Sequence, residues 1–356
     1  MLETYFLYTV IFITAAFFAY IAQHGISAPQ RMWARAFCFM SMFLPAALRY
    51  GIGKDYFTYY TIYELNFPHY MQRLEPGFVF IGRLCHAAGI SPPEFIALIS
   101  GITYALICFC VPRKHIFTIV VFFILSFLYL NSYNVSRQVL ATAVLLYAFS
   151  QIYNDNRKKG FLLCIAASLI HYSSLIVIPV LILSIIKINT YLRVCLIAVF
   201  VFIGLNEQFL SMLISFAASI NPRNAALSLL LVRTELNFGI TFIILALPAI
   251  LILLNAKKIL KENNGNFILN ANAIFLAVIG VGYIMTIVGR FIDALLFIPI
   301  FSIQILYTAN KKYAKLYHLL LIICFGALFF RYIGHHAADA FDQTYGISPY
   351  RSVFGR

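Results

Sequence analysis

Charged residues are scarce in this sequence. Asp, Glu, Lys and Arg make up 11% of its 356 residues, whereas they form roughly a quarter of a soluble domain. Apolar residues reach 62%, and runs long enough to cross a bilayer recur along the chain, among them 4–22, 116–133, 240–256, 268–288 and 315–332. One soluble core cannot bury so many apolar helices. The sequence therefore predicts an all-α polytopic integral membrane protein with about 11 to 12 transmembrane helices.

Cysteine motifs are also missing. Six of the seven cysteines lie inside apolar segments, and none belongs to a Cys-x-x-Cys pair or to a Cys/His cluster. Small apolar packing is the ordinary role of such residues in helices. No pair of carboxylates has a spacing that demands a metal. The sequence predicts no cofactor and no metal site.

The net charge of +14 reflects where the basic residues lie. Six short gaps between apolar runs hold 15 of the 26 Lys and Arg residues and two of the 12 acids. Short Lys/Arg-rich loops face the cytoplasm under the positive-inside rule, which leaves the outer side with a charge of only about +1. The basic excess is therefore explained by topology, and no nucleic-acid partner is predicted.

These loops orient one predicted transmembrane domain, 1–356, with its N-terminus outside. The long connections all fall on the outer side, where binding and catalysis concentrate. They are a segment at 51–92 with an interfacial helix at 77–90, a segment at 206–239 and the tail at 332–356. Ser91, followed by two prolines, is typical of a helix start. The apolar stretch 161–187 is expected to form two short helices that meet near His171, with one long helix as the alternative.

The first outer segment begins with a charged and aromatic cluster. Arg49 ends an apolar span, and Asp55 precedes a run of aromatic residues. Arginine offers a planar fork for phosphate oxygens, while Tyr50, Tyr56 and Tyr59 offer flat faces for sugar rings. An aromatic belt with a snorkelling arginine explains the same residues without a ligand. Spacing alone leaves both interpretations open.

Further ionisable residues occur at predicted outer span ends. Arg137 begins one span, His171 lies in the middle of another segment, and Arg290 and Asp293 lie where the spans predicted at 268–288 and 292–309 meet. Such residues at membrane depth cost several kcal/mol unless they are paired or face a wet cavity. An Arg290–Asp293 ion pair accounts for one site without a ligand. Convergence of four or five ionisable residues favours a shared anionic ligand.

A lipid-linked sugar diphosphate meets these requirements. Its diphosphate needs bidentate cations at headgroup depth, its polyprenyl tail needs an apolar groove, and its glycan needs aromatic and polar contacts. Membrane lipids surround such a site in any polytopic protein. The sequence thus predicts a lipid substrate rather than a small ion.

Four segments resemble the EpsG-type exopolysaccharide polymerases, relatives of the Wzy polymerases of O-antigen and capsule. They are Arg49-x-Gly-x-Gly-x-Asp55-Tyr56-x-x-Tyr59, Glu75-Pro76-Gly77-Phe78, Val135-Ser136-Arg137-Gln138 and Ala167-Ser168-Leu169-Ile170-His171-Tyr172-Ser173. Their order and spacing match over the first half of the chain, and Gly289-Arg290-Phe291 adds to them in the second. Lys54 departs from the small or hydroxyl residue expected at its position.

The resemblance implies a GT-C-like glycosyltransferase at the periplasmic face of a bacterial inner membrane. Such an enzyme moves a growing glycan from undecaprenyl diphosphate to the non-reducing end of the next lipid-linked unit. It also implies a protein partner that controls chain length. Because no carboxylate pair demands a metal, transfer is predicted to be metal-independent.

In that reaction cations stabilise the leaving diphosphate as its charge grows, and a base or carboxylate handles the acceptor hydroxyl. The candidates are His171, Asp55 and Glu75 for catalysis, Arg49, Arg137 and Arg290 for the diphosphate, and Tyr50, Tyr56, Tyr59, Arg223 and Asp293 for the glycan.

Two other functions use the same residue types. A flippase or transporter of the lipid-linked oligosaccharide needs similar cations, but such folds usually carry internal repeats and paired broken helices, and only one break is predicted here. A membrane acyltransferase that modifies the polysaccharide would use His171 as its base. An inert assembly subunit would not need so many ionisable outer residues.

Overall fold

The structure, a computed structural model, describes residues 2–65, 74–206, 239–282, 286–335 and 346–354, together with five residues between 208 and 215. Regular secondary structure in these residues is helical, apart from one isolated β-bridge between Arg49 and Ser352. The predicted class, an all-α polytopic membrane protein, is confirmed.

The described helices run in the following order: α1 (Leu2–His24), α2 (Ala28–Ala47), α3 (Tyr56–Leu65), α4 (Pro76–Ala87), α5 (Pro92–Ala105), α6 (Ile116–Leu125), α7 (Leu128–Asn134), α8 (Ser136–Tyr153), α9 (Arg157–Ile170), α10 (Val177–Ile185), α11 (Thr190–Leu205), α12 (Ile240–Leu254), α13 (Ala256–Ile259), α14 (Gly265–Gly282), α15 (Thr286–Leu295), α16 (Phe297–Ala309) and α17 (Ala314–His335). A π-helical turn at Leu106–Cys110 extends α5, and a 3₁₀ turn at Tyr172–Ile176 links α9 to α10.

Within the described residues, three helices are long and apolar enough to cross a membrane alone, and two bent pairs raise that number to five. The three are Leu2–His24, Pro92–Cys110 and Ala314–Gly334, and the pairs are Arg113–Leu125 with Leu128–Asn134 and Gly289–Leu295 with Phe297–Ala309. Several shorter apolar helices lie between them. The larger predicted number of spans stays a prediction.

Two predicted spans are bent. The span 116–133 is bent by 55°, because Phe127 adopts left-handed backbone (φ 63°, ψ 0°) that residues other than glycine rarely adopt. Arg290 and Asp293 lie inside α15, near the beginning of the second bent pair, and the 40° bend to α16 follows Leu295.

Local signals around the first outer segment predicted the structure well. Ser91 caps α5 through a reciprocal capping box with Glu94, whose carboxylate accepts from Ser91 N at 2.8 Å. The helix predicted at 77–90 is α4. The break expected near His171 is also confirmed, since α9 ends at Ile170 and His171 is extended (φ −153°, ψ 121°).

The chain divides into two compact units, each described by itself. The first unit comprises Met1–Leu175 and Ile322–Arg356, and the second comprises Ile176–Leu321. In the first unit α1 packs against α2 and α6, and α8 packs against α9. In the second, α14 packs against α10, α11 and α12. The single domain predicted for 1–356 stays a prediction.

The C-terminal segment, residues 347–353, packs against the beginning of α1 and the end of α2. Its backbone bridges Arg49 at Ser352. The other bonds run from Tyr8 Oη to Ile347 O (2.9 Å), Tyr350 N to Thr4 Oγ1 (3.1 Å), Tyr350 Oη to Pro45 O (2.7 Å), Tyr50 N to Arg351 O (3.1 Å) and Val353 N to Leu48 O (2.9 Å). These two helix ends and the tail therefore lie on one side of the first unit.

Candidate active site

Three separate elements of the first unit meet at the carboxylate of Glu75. Glu75 is the N-cap residue of α4, Arg137 lies in the first turn of α8, and His171 follows the last residue of α9. Arg137 Nη1 donates to Glu75 Oε2. His171 Nδ1 lies 2.8 Å from Glu75 Oε1, which also accepts from Tyr172 N at 3.3 Å. One buried carboxylate thus holds an arginine and a histidine side by side.

The backbone around Glu75 explains how it reaches His171. Pro76 occupies the first helical position, where its missing N–H costs nothing, and Glu75 itself is extended (φ −68°, ψ 141°). At Gly77 a Cβ atom would lie 2.8 Å from Leu169 O. A side chain there would push α4 away from the end of α9. Glycine at 77 therefore permits the close approach that brings Glu75 to His171.

Arg137 is fixed by two aromatic rings as well as by Glu75. Its Nε donates to Tyr59 Oη at 3.3 Å, and its Cζ lies 5.6 Å from the centroid of Tyr59 and 5.5 Å from that of Phe78. Such cation–π contacts favour a fully charged guanidinium. Nη2 makes no hydrogen bond to a described residue, and the side chain is 21% exposed. The guanidinium is therefore held in place with one nitrogen available to a ligand.

The contact with Glu75 also sets the tautomer of His171. An ionised carboxylate can only accept hydrogen bonds, so Nδ1 of His171 carries the proton that points to Glu75. The neutral ring then presents a lone pair on Nε2, which has no partner among the described residues. A histidine oriented in this way can accept a proton from a hydroxyl group.

Opposing effects act on the pKa of Glu75. Burial raises it, whereas the hydrogen bond from His171 and the positive charge of Arg137 lower it, and the net effect is a pKa of about 2. Glu75 is therefore a carboxylate at every physiological pH. Its negative charge offsets that of Arg137 and keeps His171 in the orientation described.

This pKa predicts how stability depends on pH. Since the folded pKa of about 2 lies below the ordinary value of 4.5, ionised Glu75 stabilises the fold above pH 4.5, and that stability is lost as pH falls towards 2. The melting temperature of the wild type should exceed that of Glu75→Gln at pH 7, and the gap should shrink below pH 4.5. Glu64→Gln, at an exposed carboxylate, is the control. A gap that is constant from pH 7 to 3 would contradict the assignment.

The motif residues before α3 lie beside this cluster. Tyr59 belongs to α3, and Asp55 is half-buried at the beginning of the same helix, where its carbonyl accepts from Tyr59 N at 2.9 Å. Tyr50 and Tyr56 pack edge to face, with ring centroids 6.0 Å apart. The three tyrosines therefore belong to one aromatic face, and Tyr59 connects this face to Arg137.

Arg49 is not part of that cluster. It is 2% exposed, its Nη1 donates to Ala46 O (2.7 Å) and Ser100 Oγ (3.1 Å), and its Cζ lies 4.6 Å from the ring centroid of Tyr133. None of these partners is shared with Arg137. These contacts hold Arg49 beneath the C-terminal segment, and its buried Nε has no hydrogen-bond partner among the described residues. A role for Arg49 in diphosphate binding stays a prediction.

The remaining predicted residues belong to the second unit or lie outside the described residues. Arg290 and Asp293 belong to the second unit, three residues apart on α15. Arg223 lies outside the described residues. Sequence reasoning gave Glu75 the third place among catalytic candidates and gave Phe78 no role. Pro76 was the available signal near Glu75, because a proline at the first helical position marks the preceding residue as the helix start.

A protein-family model matches most of this chain, including the candidate active site. The model of the EpsG family matches residues 32–352. The chain belongs to the EpsG family. This family is of the exopolysaccharide-polymerase type, and the matched range includes Glu75, Arg137 and His171. No curated protein and no solved structure matches the chain.

Proposed function

We propose that this EpsG-family protein polymerises oligosaccharide repeat units linked to undecaprenyl diphosphate, at the periplasmic face of a bacterial inner membrane. The growing glycan leaves its lipid diphosphate and is transferred to the non-reducing end of the incoming unit. The observation that carries the proposal is the bridge from Glu75 to both Arg137 and His171. This bridge places Arg137, a cation for the leaving diphosphate, beside His171, a base for the acceptor hydroxyl.

In the proposed reaction the acceptor hydroxyl oxygen attacks C1 of the donor sugar. His171 Nε2 takes the hydroxyl proton, and the bond from C1 to the diphosphate oxygen breaks with its electron pair on the diphosphate. Arg137 stabilises that growing negative charge more in the transition state than in the ground state. Glu75 orients both groups and needs no change in its own protonation. No step of this scheme requires a metal.

An apolar surface next to Arg137 supports a lipid-linked substrate. Tyr59 and Phe78, whose rings contact the Arg137 guanidinium, also line a small apolar pocket of about 10 Å³. Its remaining lining residues are Ile62, Tyr63, Leu74, Val79, Gly82 and Phe95. A cation at the edge of an apolar surface suits a diphosphate joined to a prenyl chain. A soluble sugar nucleotide would not need the apolar wall.

The aromatic face is assigned to the glycan. Tyr50, Tyr56 and Tyr59 are proposed to contact sugar rings, with Asp55 as a hydrogen-bond acceptor for sugar hydroxyls. Residues 55–75 follow the end of α2, which the C-terminal segment joins to the beginning of α1. The distribution of Lys and Arg supports a periplasmic location for this side.

The direct test uses purified full-length protein and synthetic lipid-linked repeat units, without added metal or nucleotide sugar. We expect a ladder of products that differ by one repeat unit. Acylated single units would instead favour an acyltransferase, and unchanged units that cross a vesicle membrane would favour a flippase. Either result would overturn the proposal.

His171→Ala is expected to slow ladder formation by about 100- to 10,000-fold, because that is the usual contribution of a general base. The matched control is His86→Ala, which removes an exposed histidine from α4 and should leave the rate unchanged. Both variants are compared after their amounts and melting temperatures have been measured. A His171→Ala enzyme with the wild-type rate would exclude His171 as the base.

A further inference from the structure

A cleft lies in the second unit and is independent of the candidate active site. It has a volume of about 270 Å³ and is formed by α11, α14, the end of α12 and the beginning of α13. We call it the Arg193 cleft; its lining residues are Thr190, Arg193, Val194, Ile250, Leu253, Leu254, Ala256 and Leu276. All but Thr190 and Arg193 are apolar.

Arg193 is buried in this wall without a charged partner. The residue is 4% exposed. Its Nε donates to Asn270 Oδ1 at 2.7 Å, and its Nη2 donates to Asn266 Oδ1. Both acceptors are neutral amides, and Nη1 has no hydrogen-bond partner among the described residues. The salt bridges of the described residues do not include Arg193.

The two amides are themselves held in place. Asn270 Nδ2 donates to Ser184 O at 3.1 Å and to Ile186 O at 2.6 Å, and Asn266 Nδ2 donates to Ile186 O at 3.0 Å. The guanidinium plane is therefore fixed before any ligand arrives. Amides satisfy hydrogen bonds but do not neutralise charge, and a buried unpaired cation costs several kcal/mol. An anion at Nη1 would offset that cost.

Apolar side chains extend from the cleft to the surface of the protein. Val194, Ile250 and Leu254 are 60%, 39% and 76% exposed, as expected for residues that face acyl chains in a membrane protein. The positively charged helix α13 begins at Ala256 and carries Lys257 and Lys258. Short Lys/Arg-rich loops mark the cytoplasmic side. The cleft therefore combines a lipid-facing wall with a buried cation near the cytoplasmic headgroups.

We propose that the Arg193 cleft binds an anionic phospholipid of the cytoplasmic leaflet. The phosphodiester accepts a hydrogen bond from Arg193 Nη1, and an acyl chain lies along Val194, Ile250 and Leu254. Charge complementarity selects this occupant, because a zwitterionic lipid brings its own ammonium group to a site that needs net negative charge. The inference is independent of the polymerase proposal, since the two sites share no residue.

A purely structural role is the competing explanation. Arg193 connects α11 to α14 through Asn266 and Asn270, and this connection alone could account for its burial. It predicts that Arg193 affects stability without any preference between lipids. Selective binding of an anionic lipid is the measurement that separates the two roles.

The experiment compares phosphatidylglycerol with phosphatidylcholine of identical acyl chains, added to the purified full-length protein in detergent. Binding is measured by native mass spectrometry and by the rise in melting temperature. We expect phosphatidylglycerol to bind about tenfold more tightly, and we expect Arg193→Gln to lose this preference. Lys187→Gln, which removes an exposed charge from the same loop, should retain it. Equal binding of both lipids by the wild type would overturn the proposal.

A second variant keeps the test decisive if Arg193→Gln fails to fold. Ile250→Trp enlarges a partly exposed side chain in the cleft wall and leaves the bonds of Arg193 untouched, so it should weaken phosphatidylglycerol binding without loss of protein. Glycerol 1-phosphate, which lacks acyl chains, should not displace the lipid. Displacement by glycerol 1-phosphate, stronger binding of a polyprenyl phosphate, or unchanged lipid binding by Ile250→Trp would each contradict a phospholipid site.

Discussion

Arg137→Gln is expected to reduce polymer synthesis by about 100- to 1,000-fold, the usual cost of removing one preorganised donor from a developing oxyanion. The loss has two physical causes. The diphosphate leaving group loses its cation, and Glu75 loses the partner that offsets its charge. The second cause disturbs the carboxylate that orients His171. Ladder formation by the purified enzyme is the measurement.

Arg137→Lys distinguishes charge from geometry. One ammonium group cannot contact Glu75, Tyr59 and a phosphate in the way that a planar fork does, so this variant should remain at least about tenfold slower than the wild type. Arg83→Gln removes an exposed arginine from α4 and is the matched control. Wild-type ladders from Arg137→Gln would show that the diphosphate binds elsewhere.

Gly53→Ala is expected to destabilise the first unit by more than about 3 kcal/mol, a large effect for one methyl group. Gly53 has φ +100°, and a Cβ atom there would lie 1.9 Å from Tyr133 O. The contact is between two backbones, so no side-chain rotation relieves it. Lys54 N also donates to Asn134 Oδ1 at 2.9 Å. Because α8 begins just after Asn134, a shift at this contact should also displace Arg137.

Gly89→Ala is the control for this prediction. Gly89 also has a positive φ, +72°, but no atom lies within 4 Å of the Cβ position. Only the conformational cost remains, about 1 to 2 kcal/mol. The melting temperatures of the two purified variants give the comparison. If Gly53→Ala and Gly89→Ala lose the same stability, the close approach of Gly53 to Tyr133 is not what requires glycine.

Local chemical signals predicted part of this fold. The helix start at Ser91 and the break at His171 followed from proline, serine and histidine patterns within a few residues. The bend at Phe127 had no such signal, because neither glycine nor proline lies there and the left-handed backbone is imposed by packing. The sequence also placed Arg290 and Asp293 where two predicted spans meet, because their polarity interrupts an apolar run. Both lie inside α15, where residues three apart share one face of the helix.

The sequence predicted which residues form the candidate site but not how those residues contact one another. The motifs indicated Glu75, Arg137 and His171, yet nothing in their spacing showed that Glu75 contacts the other two. Arg49 was grouped with them because it precedes the aromatic run. Its backbone pairs with Ser352, about 300 residues further along the chain, and sequence patterns a few residues long contain no information on such a contact.

The position of the C-terminal segment has a consequence for biosynthesis. Arg49 emerges from the ribosome about 300 residues before Ser352, with which it forms a β-bridge. At 5–20 residues per second, the interval is about 15 to 60 s, during which the whole second unit is synthesised. Ribosome-arrested chains that end before Arg351 should therefore be cleaved by trypsin after Arg49, whereas the full chain should be protected. Completion of the first unit in this way waits for the synthesis of residues 347–353.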